Sequence, residues 1–318
     1  MRVLVTGGSG YIGAHVIRML AERGDSAVVA DDFSAGVRDR VAGIPVIETD
    51  LSDPSCIAPV TAFVREQGVD AVIHFAARKR VAESVERAAW YYSQNLGSLA
   101  NVMQVTQDAG IDRFIFSSSA AVYATSPTPV DEDAPTLPAN PYGETKLAGE
   151  WLTASATRAF GLRAISLRYF NVTGAGSPEL GDVHAQNLVP MVYEAIERGE
   201  APLIFGDDYD TPDGTCIRDY IHVTDLSRAH LAALDALDGR APSHEVYNVG
   251  TGTGSSVLDM VTRMIAITGA AVQPRVEPRR PGDPAVVVAD PARIGRDLGW
   301  SAELGIDDML RSAWDARP

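Results

Sequence analysis

Cysteine is nearly absent from this chain of 318 residues, with only Cys56 and Cys216, which stand in unrelated surroundings. Two cysteines so placed form neither a disulfide framework nor a metal-ligand spacing; both are expected as packed thiols, and no metal site is expected. Basic charge is scarce too. With 27 Lys and Arg against 42 Asp and Glu, the formal net charge is −15, and no dense run of Lys or Arg interrupts it. Nucleic acid and anionic membrane surfaces would be repelled, so neither is expected as a partner. No apolar stretch approaches the roughly 20 residues that span a bilayer. The chain opens on a strand-like segment instead of a signal peptide, and a cytoplasmic enzyme is the expectation. Internal repeats and low-complexity tracts are also missing. The 46% of hydrophobic residues can therefore build a large core, enough for a dinucleotide domain and a smaller lobe.

Met1 to Gly13 reads MRVLVTGGSGYIG, a short apolar strand running into Gly7-x-x-Gly10-x-x-Gly13 at the mouth of a helix. Gly7 permits the sharp turn, Gly10 lets backbone approach a pyrophosphate, and Gly13 lets helix pack on strand. The N–H groups of Tyr11 and Ile12 lie at the helix start, where they can meet the phosphates. A second apolar strand, Ala27 to Ala30, ends in Asp31-Asp32. A carboxylate about twenty residues beyond the glycines accepts from an adenosine ribose and repels a 2′-phosphate, so NAD is favoured over NADP. Arg38 and Arg40 are the nearby cations that could oppose this choice.

Apolar strands at Pro45–Ile47, Ala71–Phe75, Phe114–Phe116 and Ala164–Leu167 alternate with helical stretches such as Ala88–Asp108 and Gly143–Phe160. This alternation predicts an α/β fold, a Rossmann-type doubly wound parallel sheet with right-handed crossovers. After Asn171 the texture changes to Gly- and Pro-containing loops with strands at Pro202–Phe205, Ile221–Val223 and Val246–Val249. The expected division is a cofactor domain over 1–170 and a smaller α/β substrate domain over 171–318, with later segments crossing back.

Tyr142-Gly-Glu-Thr-Lys146 follows Phe116-Ser-Ser-Ser119 at a predicted strand end. Tyr and Lys four apart share one helix face. A phenol is a poor base at neutral pH, but a nearby ammonium and a positive nicotinamide ring stabilise its phenolate. Tyr142 is thus the candidate base, Ser119 a proton donor or relay, and Lys146 the cation, which can also bond the nicotinamide ribose. Histidines are left out of the mechanism, His74 being read as structural.

Through nearly its whole length the chain resembles the UDP-glucose 4-epimerases of the extended short-chain dehydrogenase/reductases. The resemblance rests on MRVLVTGGSGYIG, VIHFAA at Val72, FSSSAAVY at Phe116, PYGETK at Pro141, RYFNV at Arg168, IRDYIHV at Ile217 and RRPGD at Arg279. It implies that Asp50 and Leu51 meet the adenine, and that Phe75, Ala76, Ala77, Lys79, Asn95, Ser117 and Tyr169 join the NAD contacts. It implies a UDP-sugar site at Asn171, Asn187, Leu188, Phe205, Arg218, Arg280, Asp283 and Val287, beside Ser119 and Tyr142. Arginines suit a diphosphate, Phe205 suits uracil, and Asp283 suits ribose hydroxyls. The implied reaction inverts C4 of a UDP-hexose through a transient 4-keto sugar, with NAD recycled, in a homodimer joined by two helices per subunit.

Departures bear on the substrate. The family's Gly-Leu-Lys-Ala is Ala77-Arg78-Lys79-Arg80 here, so Arg78 and Arg80 either meet a uronic acid carboxylate or form local ion pairs. A frequent Thr is Ala121, and Ala124 replaces a Gly. Val287, at the hexose 2-position, is intermediate between the Tyr that excludes N-acetyl sugars and the Cys or Ser that admits them. UDP-glucuronate and UDP-N-acetylglucosamine 4-epimerases are the sister readings. A dehydratase would carry an Asp-Glu pair where Ser119-Ala120 stands, and a non-catalytic regulator would have no need to retain Ser119, Tyr142 and Lys146 together.

Overall fold

The computed structural model describes residues 1–124, 129–280 and 283–317. The first half of the chain runs β1 (Arg2–Thr6), α1 (Tyr11–Arg23), β2 (Ser26–Asp31), β3 (Val46–Glu48), α2 (Ile57–Gln67), β4 (Ala71–His74), α3 (Val81–Glu86), α4 (Ala88–Ala109), β5 (Arg113–Ser119), α5 (Pro141–Phe160) and β6 (Arg163–Tyr169). The second half runs β7 (Asn171–Thr173), α6 (Leu188–Glu197), β8 (Leu203–Phe205), β9 (Ile217–His222), α7 (Val223–Ala236), β10 (His244–Val249), β11 (Gly254–Ser256), α8 (Val257–Thr268), β12 (Arg275–Glu277), β13 (Val286–Val287), α9 (Ala292–Leu298) and α10 (Ile306–Asp315).

Seven strands form one parallel sheet in the order β10-β6-β5-β4-β1-β2-β3. Both faces are covered, which is why its strands read as continuous apolar runs. Within each strand the period of two sorts side chains to opposite layers. Val3 and Val5 of β1 join Val16, Ile17 and Leu20 of α1 and Leu226 and Ala229 of α7 on one face. Leu4 points the other way, with Val60 and Val64 of α2 and Leu99 and Val102 of α4. The chain moves outward from β1 through β2 to β3, then returns to β4 on the other side of β1. This reversal opens a crevice at the carboxyl ends of β1 and β4, where open α/β sheets bind ligands.

The remaining strands make small pairings beyond that edge: β9 is flanked by β11, β13 and β7, and β8 pairs with β12. Their core gathers Val192 and Tyr193 of α6, Ile204 of β8, Met260 and Met264 of α8, and Met309 and Leu310 of α10. The segment read from sequence as a strand over Ile221–Val223 is longer and ends sooner. It runs from Ile217 to His222, whose ring accepts from Thr224 N–H at 3.0 Å and caps α7. No described helix is long and apolar enough to cross a membrane.

Candidate functional site

The glycine loop has the geometry a dinucleotide needs. Gly7 has φ +69, in the left-handed region, and a Cβ there would stand 2.9 Å from Ala76 N, because the loops after β1 and β4 are in close contact. A Cβ on Gly13 would lie 2.5 Å from Gly7 O, so only glycine lets α1 start against the turn. Gly10 is the N-cap and provides no side-chain cap, leaving the first turn of α1 free to meet an anion. These features fit the pyrophosphate of NAD, with Tyr11, Ile12 and Gly13 at the helix start.

Asp31 closes β2 as a buried carboxylate, accepting from Ser9 N–H at 3.0 Å, Ser9 Oγ at 2.7 Å and Phe33 N–H at 2.9 Å. It fastens the glycine loop to the end of β2. Asp32 turns aside: it accepts from Ser34 N–H and Oγ and pairs with Arg78 at 3.1 Å, and these contacts hold its carboxyl below the usual range despite partial burial. Arg78 is therefore a local ion pair on the cofactor side. Arg38 pairs with Glu48 at 2.6 Å and Arg40 bonds the Gly181 carbonyl. Asp50 accepts from Ser52, and Leu51 is buried.

From the β4 side, Phe75, Ala76 and Ala77 follow the strand end half-buried and Lys79 is exposed; the Phe75 ring packs 4.8 Å from that of His230. Asn95 on α4 accepts from Arg78 N–H at 2.7 Å and donates to Arg78 O and Thr145 Oγ1, both at 3.0 Å, so it shapes this loop from beneath. His74 is buried against Thr6 at 2.8 Å, and burial pulls its ring down to about 3. That is a structural histidine. Cys56 and Cys216 are buried and free.

Ser119, Tyr142 and Lys146 come together where β5 ends and α5 begins. Asn140 caps α5 through Gly143 N–H at 3.0 Å, and Pro141 occupies the first turn, placing Tyr142 at a rigid helix start. A Cβ on Gly143 would lie 2.3 Å from Ala121 O, so this glycine lets the helix close on the strand end. Tyr142 is buried. Burial raises its phenol pKa, and a hydrogen bond with Ser119 opposes that. Lys146 Nζ donates to Ser117 O at 2.7 Å and stands 5.9 Å from the centre of the Tyr142 ring. Burial draws its pKa down to about 8, with Glu150 opposing. Desolvation thus dominates both groups in the protein alone, and the sequence expectation draws on Lys146 together with the positive nicotinamide ring to stabilise the phenolate. Ser117 and Tyr169 meet through their hydroxyls at 2.5 Å beside Lys146.

Beyond the sheet edge, Arg218 in β9 lies in register with Val287 in β13, and its guanidinium is 4.0 Å from Asp283. The Arg280 guanidinium sits 3.8 Å over the Phe205 ring. Asn187 is the N-cap of α6, followed by Leu188, and Asn171 begins β7 opposite Tyr220. Val287 and Ala120 both pack against a cluster containing Leu147 and Phe170, which places Val287 near the end of β5.

Two positioning groups escaped the sequence reading. Asp219 accepts from Thr251 N–H and Oγ1, Gly252 N–H and Ala289 N–H at 2.7–3.2 Å, joining β9 to the segments after β10 and β13. The other is the buried pair of Glu150 and Arg168. Glu150 lies one turn beyond Lys146 and Arg168 opens RYFNV; those spacings were the available signals.

Residues 3–250 match the model of the NAD dependent epimerase/dehydratase family. A UDP-glucose 4-epimerase from Azospirillum brasilense is 44% identical over 98% of this chain and 90% of its own length. The crystal structure of the Stenotrophomonas maltophila UDP-glucose 4-epimerase, with bound NAD and formylated UDP-arabinopyranose, superposes with TM-score 0.93 at 38% identity, covering 99% of this chain and 97% of the other. That of Bifidobacterium longum, in complex with NAD+ and UDP, gives 0.90 at 36% identity, covering 99% and 98%. With matches of this extent in both halves, the chain belongs to the NAD dependent epimerase/dehydratase family, within the extended short-chain dehydrogenase/reductases.

Proposed function

We propose that this protein is an NAD-dependent UDP-glucose 4-epimerase, interconverting UDP-glucose and UDP-galactose. The observation that carries this reading is the buried group of Ser119, Tyr142 and Lys146 at the carboxyl end of β5, two strands from the glycine loop at the carboxyl end of β1. Relatives matched over nearly the whole chain are named for the same reaction.

In the proposed cycle Tyr142 takes the proton of the sugar 4-hydroxyl, with Ser119 beside it as the relay. NAD, when bound, supplies a reversible hydride acceptor for C4, so the cycle has no net redox change. Lys146 stabilises the phenolate from the next turn of α5. Arg218 and Arg280 hold the diphosphate, Phe205 packs at the uracil and Asp283 accepts from ribose hydroxyls. On the hexose side, Ala120, Ala121 and Val287 provide small or apolar surface with few directional bonds. A firm grip on nucleotide and a loose one on hexose lets the 4-keto sugar turn and present its other face. Tyr142 then returns the proton, inverting C4.

The same reading takes the enzyme as a cytoplasmic homodimer. Tyr92 on α4 and Trp151 on α5 are exposed large aromatics at 39% and 64% on two helices packed side by side, a face suited to a matching pair from a second copy. The test is incubation of purified protein with UDP-glucose and no added cofactor. UDP-galactose should form to equilibrium without NADH. Stoichiometric NADH would indicate a dehydrogenase, and loss of water from the sugar a dehydratase.

A further inference from the structure

Strands β2 and β4 both flank β1 and do not touch each other, so the glycine loop emerges between their ends. Arg78, four residues beyond β4, spans this gap. Its guanidinium donates to Ser34 Oγ at 2.7 Å and to Asp32 Oδ2 at 3.1 Å, both beyond the end of β2. The bridge continues outward: Arg78 Nε donates to Gln94 Oε1 at 3.3 Å, Gln94 Nε2 donates to Ser52 Oγ at 2.8 Å, and Ser52 Oγ donates to Asp50 at 2.7 Å. Polar side chains thus connect the ends of β4, β2 and β3 around the part of the crevice assigned to adenosine. The anchorage is firm at its root, because Asn95 holds both the N–H and the carbonyl of Arg78. Trp90 lies 5.5 Å from the Arg78 guanidinium and 3.7 Å from that of Arg87, so an aromatic face backs the strap.

We propose that the Arg78–Asp32 bridge is a strap across the adenosine half of the cofactor crevice that must open for NAD to leave, making Arg78 a positioning residue for cofactor retention. This rests on reading the glycine loop as the NAD site. The reaction makes such retention useful, since the same NAD must return its hydride to the sugar it came from. The pair is only partly buried, with side-chain exposures of 27% and 33%. Salt therefore screens it.

The experiment follows exchange of bound NAD for isotopically labelled NAD in the purified holoenzyme, a readout independent of turnover. Arg78→Met should accelerate exchange by about three- to tenfold, as expected for loss of one partly exposed, multiply bonded ion pair. Arg78→Lys should recover part of the retention. In an Asp32→Asn background Arg78→Met should accelerate exchange less than it does in the parent, since only the bonds to Ser34 and Gln94 are left to lose, and added salt should accelerate exchange in the parent more than in Arg78→Met. Exchange at the parent rate in a folded Arg78→Met variant, or the same salt response in both, would overturn the strap. A parent protein that binds no NAD would instead overturn the cofactor site on which the strap depends.

Discussion

Arg168 and Glu150 meet through two hydrogen bonds, Nε to Oε1 at 2.9 Å and a terminal nitrogen to Oε2 at 2.6 Å, with both side chains buried. Ser118 Oγ donates to the same carboxylate at 2.5 Å, and the other Arg168 terminal nitrogen donates to Tyr123 Oη at 3.0 Å and Glu132 O at 3.2 Å. The pair thereby fastens α5, which carries Tyr142 and Lys146, to β5 and β6, which carry Ser119 and Tyr169. Glu150→Ala leaves a buried guanidinium without its counter-charge and should cost about 3–5 kcal/mol of stability. Replacing both partners by apolar residues of similar volume should restore much of that loss. Urea denaturation of the single and double variants measures it. A loss below about 1 kcal/mol in Glu150→Ala would remove the pair from this role.

Tyr142→Phe deletes the proposed proton acceptor and keeps the ring volume. Turnover should fall by at least about 10²- to 10⁴-fold, the usual worth of a positioned acid–base group, while folding and UDP binding persist. Near-normal epimerisation by the folded variant would eliminate Tyr142 as the base.

Lys146→Ala should lower turnover strongly and move the rate profile to higher pH. In the folded protein burial already pushes the Tyr142 phenol up. Without the adjacent ammonium the phenolate needs still higher pH to form. A pH profile unchanged from the parent would show that Lys146 acts through ribose binding alone.

His230 gives a prediction for stability. Its ring is buried, its Nδ1 pairs with Leu226 O at 2.9 Å, and burial draws its pKa down to about 4. An unfolded histidine titrates near 6.5. Between these values the unfolded chain gains a proton that the folded chain refuses. The contribution is fully present above pH 6.5 and is lost as pH falls, by about 1.4 kcal/mol per pH unit, until the folded pKa is reached. His230→Leu should flatten the fall in stability between pH 6.5 and 4 by about that slope. Urea midpoints at pH 7, 6 and 5 test it; equal slopes in parent and variant would mean that the folded ring accepts the proton.

Much of the fold was legible because its signals are local. The glycine loop sets its own backbone, the apolar runs of β1, β2, β4, β5 and β6 reflect burial on both faces, and Tyr142 with Lys146 needs only helix periodicity. What escaped depends on contacts distant in sequence. Arg78 meets Asp32 across 46 positions, and Asp219 meets Thr251 and Ala289 across 32 and 70. None of these three contacts can be read from spacing. The start of β9 was missed for a related reason: Ile217-Arg-Asp alternates too little to look like a strand until β11 and β13 flank it.

Val287 is the residue that the family resemblance places at the sugar, and it lies in register with Arg218. In the proposed site a diphosphate held at Arg218 would bring the attached hexose toward the neighbouring strand, where the side chain at 287 would limit the space at the hexose 2-position. Valine leaves more room than tyrosine and less than cysteine or serine, so UDP-N-acetylglucosamine should be turned over more slowly than UDP-glucose, yet measurably. Val287→Tyr should abolish the N-acetyl activity first. A methyl-scale change in a pocket discriminates by only about 1–3 kcal/mol, whereas an aromatic ring filling the acetamido space creates a clash that a hydroxyl avoids. Val287→Ser should shift the ratio the other way. The measurement is kcat/KM on both sugars for all three proteins, and proportional losses on the two substrates in Val287→Tyr would show that residue 287 does not border the 2-position.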